Sequence, residues 1–272
     1  MQAAASPNAY LWTACTAGDG RNLDMIFDAH CHIGREHSKS RSFALSADEL
    51  VNIMDRNGID KAIVCSMGKG LNVETSRAND EISSAVRKHP DRLVGFAGVN
   101  PWYEDAALDE LERGVKRLGL RGLKLHPDLQ GFPASDDLVY PLIQRAGELK
   151  IPVYVHSGTS IYSQPMEIGE MALSCPETTV IMGHMGYDNY YFDAIPAARR
   201  SHNLILETSR NAQYWTIEES VEAIGPDRVI FGTDAPYSKA EVEIARIKSL
   251  KLDSDVQRKI LGENIIKILE ER

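Results

Sequence analysis

The chain has 272 residues, 43% of them hydrophobic and 25% charged, with a formal net charge of −9. That composition supplies a large core, and an acidic balance without any Lys/Arg-rich block argues against a nucleic-acid partner. No apolar run reaches the length of a membrane span. The four cysteines, Cys15, Cys31, Cys65 and Cys175, lack Cys-x-x-Cys spacing, so reduced thiols in a cytoplasmic protein are expected.

Residues 1–22 read as an N-terminal arm: they carry no basic leader before an apolar segment, and Asp19 and Gly20 break them off from the first strand. Residues 23–272 read as one domain, since single barrels commonly run to this length. The first strand is the apolar Met25–Phe27 of MIFDAHCHIG, which runs straight into Asp28, His30 and His32. Residues two apart on an extended chain share a face, so these three are expected on one side, with Cys31 pointing away. Paired imidazoles there can ligate a transition metal. His-x-His is short, however, and histidines satisfied by local hydrogen bonds at a strand end leave the same trace.

Residues 35–45 are polar and basic and read as a loop. SADELVNIMDRNG then carries a capping box of Ser46 with Glu49, an apolar stripe of Leu50, Ile53 and Met54, and a terminating Gly58. A strand comes next over about Lys61–Met67 and a helix over Arg77–Lys88, stopped at His89 and Pro90. RLVGFAGVNP, LRGLKLHP, IPVYVHSG, TTVIMGHMG, NLILETS and RVIFGTDAP supply strands three to eight, separated by helix-length amphipathic segments. Two further helices end the chain, one from Glu241 and one around Asp255–Leu269.

Strand runs alternating with helices are the pattern of a parallel sheet covered by helices, open or closed. Polar residues decide for an α/β fold of the (β/α)8 TIM-barrel type with an extra C-terminal helix. They come after strands one, four, five, six and eight, always at the C-terminal end. In a barrel those ends surround one mouth, whereas an open sheet spreads them along a line. No Gly-x-Gly-x-x-Gly turn succeeds strand one to suggest a nucleotide.

His30 and His32 from strand one, His156 after strand five and Asp234 after strand eight are then a donor set for one divalent ion with a position open to water. Taken singly, His156 reads equally as a hydrogen-bonded strand-end histidine, and Asp234 as a helix N-cap. Four such residues at equivalent strand ends read better as ligands. His184, in MGHMG after strand six, faces the same mouth, where a free imidazole polarises a carbonyl or carries a proton. A ligand in a two-metal site is its alternative.

DAHCHIG, GLKLHP, VYVHSG, VIMGHMG, FGTDAP and the terminal ILGENIIKIL together resemble the amidohydrolase superfamily. The branch resembled is the amidohydrolase-related one, with small metal-dependent hydrolases and carboxymuconate-semialdehyde type decarboxylases. The likeness runs from Met25 to Leu269. It implies that His30, His32, His156 and Asp234 are the metal set and His184 a catalytic residue. It implies zinc, less often manganese or iron, and a homodimer or larger homo-oligomer. It also raises a second chemistry for Lys124 in GLKLHP, a carbamylated lysine bridging two metals. The favoured reading is a cationic Lys124 paired with Asp28, Asp234 or a substrate carboxylate beside a single ion. Asp234 would be both ligand and proton shuttle.

Around the rim, Arg35, Arg210, Tyr162, Tyr187 and Trp215 are candidates to hold a small anionic substrate. In the alternative, Tyr187 and Tyr190 serve packing or a subunit interface. Three functions remain. The first is a hydrolase opening a carboxylate-bearing lactone, amide or ester-like bond with metal-activated water, with His184, Asp234 and Lys124 as catalytic residues. The second is non-oxidative decarboxylation of an unsaturated or aromatic acid. Decarboxylases of the branch often carry a glutamate two residues before the first histidine of the pair, where this chain has Asp28, which tips the expectation to the hydrolase. The third is a barrel without catalysis, its metal structural or absent.

Overall fold

The computed structural model describes residues 25–37 and 42–270; the arm expected over residues 1–22 lies outside them. The strands among the described residues are β1 (Phe27–His37), β2 (Ser42–Leu45), β3 (Lys61–Ser66), β4 (Leu93–Gly95), β5 (Ala97–Gly98), β6 (Leu123–Leu125), β7 (Val153–Val155), β8 (Val180–Met182), β9 (Leu204–Glu207) and β10 (Val229–Ile230). They pair in the order β2-β1-β3-β4 and β10-β9-β8-β7-β6-β5. β4 and β5 are one barrel strand bent at Phe96, whose N–H donates back to Val64 O at 3.0 Å while Ala97 N turns to Gly122 O at 2.7 Å. At the other edge β1 meets the chain just beyond β10. Ala29 N donates to Phe231 O at 2.9 Å, Asp234 N to His30 O at 2.7 Å and His32 N to Ala235 O at 2.8 Å. The parallel strands therefore close into the expected barrel. No helix among the described residues is long and apolar enough to cross a membrane.

Alternation along the strands builds two cores. Phe27, Ile63, Phe96, Tyr154, Ile181 and Ile230 meet inside the barrel, while Val64, Leu123, Val153, Val180 and Leu206 face the surrounding helices. Ile265 and Leu269 belong to the inner cluster, and Arg121, just ahead of β6, donates to Leu269 O at 2.5 Å. The C-terminal helix Asn264–Glu270 thus plugs the end of the barrel opposite the mouth. The helix Ala47–Asn57 has the expected capping box of Ser46 with Glu49 and ends at a left-handed Gly58 (φ 67°).

Two expectations need correction. Residues 35–45 are not all loop: Gly34–His37 pair antiparallel with Ser42–Leu45, and residues 38–41 lie outside the described residues. An edge ribbon with one exposed face has no need of apolar residues, which hid it. Nor do Asp28, His30 and His32 share one face. The β1–β3 register shifts between Asp28 and Cys31, a bulge that turns the histidines inward and Asp28 into the seam. There Asp28 accepts from Thr233 N (2.8 Å), Thr233 Oγ1 (2.5 Å), Cys31 Sγ (2.9 Å) and His30 N (3.0 Å).

This clasp joins the first and last barrel strands, so Asp28→Ala leaves buried donors unmet. The expected loss is about 3 kcal/mol of unfolding free energy in urea titration; a loss below about 0.5 kcal/mol contradicts the role.

Candidate active site

His30 and His32 leave β1 just past its bulge and meet at the mouth, their Nε2 atoms 2.9 Å apart. His32 Nδ1 lies 2.9 Å from the Ser66 carbonyl, which only accepts, so Nδ1 carries a proton. Burial pushes the His32 pKa down, but Cys65 and Asp234 outweigh it and carry it to about 10. His32 is thus an imidazolium beside Asp234, whose Oδ1 lies 3.2 Å from Nε2. His30 is the neutral partner: burial and the Lys124 charge hold its pKa well below the usual imidazole range. Its Nδ1 lies 2.7 Å from Tyr154 Oη, and the Tyr154 hydroxyl is itself committed to Glu207. His30 therefore donates from Nδ1 and presents an Nε2 lone pair to His32 and to Lys124 Nζ at 3.0 Å, with Asp234 Oδ1 3.6 Å from that nitrogen and no proton between them.

Asp234 stands just past β10 with φ 58°. Burial would raise its pKa, but His32, His184 and Arg210 bring it to about 2. Arg210 Nη1 lies 3.2 Å from Asp234 Oδ2, and its other terminal nitrogen donates to Tyr187 Oη. His184 donates from Nδ1 to Ser209 O (3.2 Å) and Ser209 Oγ (2.9 Å). Burial and the Lys124 and Arg210 charges lower its pKa to about 4 against the pull of Asp234. His184, Met185, Tyr187, Arg210 and Asp234 all have positive φ. Such a concentration of left-handed non-glycine residues marks a site that its surroundings hold in place.

Of the four ligands expected, the structure gathers His30, His32 and Asp234. His156 stands one imidazole away: its Nδ1 is 3.1 Å from His184 Nε2, its Nε2 is 2.9 Å from Thr159 Oγ1, and its ring stacks on His126 at 3.8 Å. His30, His184 and Asp234 bring donor atoms within 4.8 Å of one another, as do the less buried His126, Asp128 and His156. Lys124 is buried against His30 and the Tyr154 ring, 3.9 Å from its centroid; Asp28, one of its expected partners, faces the seam instead. Burial lowers the Lys124 pKa, with Cys65, Asp234 and Glu207 opposing. Arg35 is exposed on the hairpin and lines a cavity of about 520 Å³ with Ser46, Lys69 and Ser66, the residue whose carbonyl meets His32. Tyr162 and Trp215 are exposed. Sequence reasoning missed Tyr154, Glu207 and Ser209. The available signal was position: Tyr154 sits two residues before His156, and Glu207 ends an otherwise apolar strand.

The residues fit a divalent ion. Two imidazole Nε2 atoms and a carboxylate oxygen converge, and both Nδ1 protons have acceptors, which leaves Nε2 of each ring for an ion once the extra His32 proton departs.

The family model described as amidohydrolase matches residues 66–270, and the chain belongs to that family. The gamma-resorcylate decarboxylase of Polaromonas sp. is 26% identical over 79% of this chain and 84% of its own length. That of a Rhizobium species is 25% identical over 71% and 78%. Among solved structures, a dihydroxybenzoic acid decarboxylase from Polaromonas sp., with bound manganese and the inhibitor 2-nitroresorcinol, superposes with a TM-score of 0.70. It is 19% identical and covers 91% of this chain and 97% of that one. These relatives overturn the hydrolase expectation: both curated ones are decarboxylases. The Asp28 argument behind that expectation also fails, because the bulge turns Asp28 away from the mouth.

With its folded pKa lowered to about 4, His184 is neutral above that pH and charged only below it. Long-range proton–nitrogen NMR of the metal-free protein should show a neutral His184 ring at pH 7, protonated on Nδ1. A titration midpoint at 6 or above contradicts this environment.

Proposed function

We propose that this protein is a divalent-metal-dependent, non-oxidative decarboxylase of a small aromatic carboxylic acid. The observation that carries the reading is the likeness to gamma-resorcylate decarboxylases over most of both chains. The proposed ligands are His30, His32 and Asp234, with His156 as the fourth and one ion per chain beside a cationic Lys124. Manganese, the ion of the Polaromonas structure, suits this nitrogen and oxygen set as well as zinc does. Exposed Trp102, Tyr103, Tyr214 and Trp215 support a homo-oligomer, since aromatics are enriched at interfaces.

When bound, the ion supplies positive charge that anchors an anionic substrate and offsets charge developing on it. The chain's own residues do the rest. Arg210, with a third of its side chain exposed between Asp234 and Tyr187, holds the substrate anion by charge-assisted hydrogen bonds. His184 delivers a proton to the ring carbon that bears the carboxylate. The carbon–carboxylate bond then breaks, its electron pair restores the aromatic ring, and carbon dioxide leaves. Carboxylate plus one proton thus gives arene plus carbon dioxide. An anion bound beside His184 stabilises its imidazolium and raises its pKa from about 4 towards neutrality.

The test is carbon dioxide and phenol release from 2,6-dihydroxybenzoate and related hydroxybenzoates by manganese-loaded and zinc-loaded protein. Turnover should cease after chelation and return with the metal. Absence of turnover on every hydroxybenzoate by fully loaded protein overturns the reading.

The variants separate roles. His30→Ala and His156→Ala should lose the metal, as measured by elemental analysis, whereas His184→Asn should keep it and lose ~10²- to 10⁴-fold in turnover. Loss of metal from His184→Asn to the same extent as from His30→Ala makes His184 a ligand instead.

A further inference from the structure

Glu207 ends β9 fully buried, and no Lys or Arg forms an ion pair with it among the described residues. A buried carboxylate in that position is costly unless hydrogen bonds satisfy it. It is satisfied from two directions. Its Oε2 accepts from the Tyr154 hydroxyl, from Ser209 Oγ at 2.9 Å and from the His184 peptide N–H at 3.1 Å. Its Oε1 accepts from Ser209 N at 2.6 Å. Tyr154 in turn receives His30 Nδ1, and Ser209 receives His184 Nδ1.

We propose that Tyr154 and Glu207 are positioning residues that set the tautomer and orientation of His30 and, through Ser209, help orient His184. The proposal rests on the reading of His30 as a metal ligand and His184 as proton carrier. A tyrosine hydroxyl that gives its proton to Glu207 can only accept from His30, so the His30 proton stays on Nδ1 and Nε2 faces the mouth. The same carboxylate takes the Ser209 hydroxyl proton, which leaves Ser209 Oγ to accept from His184 Nδ1. One buried group thereby fixes the His30 tautomer and adds a second acceptor beside the Ser209 carbonyl that holds His184 Nδ1, in the manner of the outer partners that orient metal-bound histidines. The space is reserved for it. A Cβ on Gly183 would come within 2.4 Å of Tyr154 Oη, and one on Gly232 within 2.3 Å of Glu207 Oε1 and 2.9 Å of His30 Cβ.

The test uses the full chain carrying Tyr154→Phe, with Glu207→Gln as the second variant should the first fold poorly. Zinc affinity is read by competition with a chromogenic chelator, and the His30 ring by long-range proton–nitrogen NMR of the metal-free protein. Either variant should bind zinc ~10- to 100-fold more weakly and show His30 exchanging between tautomers, with circular dichroism unchanged. Ser209→Ala should leave zinc affinity within about threefold and keep the His184 proton on Nδ1, because the Ser209 carbonyl still accepts it at 3.2 Å. Wild-type affinity together with an unaltered Nδ1-protonated His30 in both first variants overturns the proposal. Neither readout needs a substrate, so inactivity on hydroxybenzoates sinks the reaction and leaves the relay standing. If His30→Ala keeps full zinc affinity, His30 is no ligand, and the NMR arm still decides the relay.

Discussion

The site depends on the seam where the first barrel strand meets the last. His30 O accepts from Asp234 N at 2.7 Å, and Asp28 takes both polar hydrogens of Thr233. These bonds set the spacing between the two histidines and the aspartate, which lie far apart in sequence. The β1 bulge is what permits both tasks at once: alternate residues of one short segment serve the seam and the mouth. Without it, Asp28 would enter the mouth and the clasp would have no acceptor. Positive φ at Asp234 is then a strain that closure of the barrel holds in place.

Above the seam, electrostatics is governed by burial. Lys124, four imidazoles and two carboxylates share a region almost without solvent, so charged forms survive only where a partner is in contact. His32 keeps its proton because Cys65 and Asp234, the latter 3.2 Å away, outweigh its burial. His30, His156 and His184 have lowered pKa values and stay neutral. Neutral rings suit ligands and a proton carrier alike, and hydrogen bonds decide which nitrogen each ring presents. The Glu207 pKa, raised by burial but restrained by Tyr154, Ser209 and His184, sits at about 7.

Much of the fold was legible because its signals are local. The Ser46 capping box, the Gly58 stop and the apolar strand runs each report on a few neighbouring residues, and strand-end histidines gathered at a mouth result from parallel order. What escaped is set by contacts distant in sequence. The bulge is invisible in DAHCHIG because its cause is the partner strand and Thr233, more than two hundred residues on. Tyr154 and Glu207 read as interior residues of apolar strands. The antiparallel β1–β2 hairpin that carries Arg35 is likewise set by pairing with Ser42–Leu45 rather than by an apolar pattern. The choice of reaction was not legible at all: histidines and an aspartate around an ion serve hydrolysis and decarboxylation alike, and likeness over most of the chain turned the reading.

The most direct test is a crystal structure of manganese-loaded protein with anomalous scattering measured at the manganese edge. One anomalous peak per chain is expected within ligand distance of His30 Nε2, His32 Nε2, an Asp234 carboxylate oxygen and a ring nitrogen of His156, with an unmodified Lys124 side chain. A peak seated on His126, Asp128 and His156 instead, or two peaks bridged by added density on Lys124, would contradict the single-ion site.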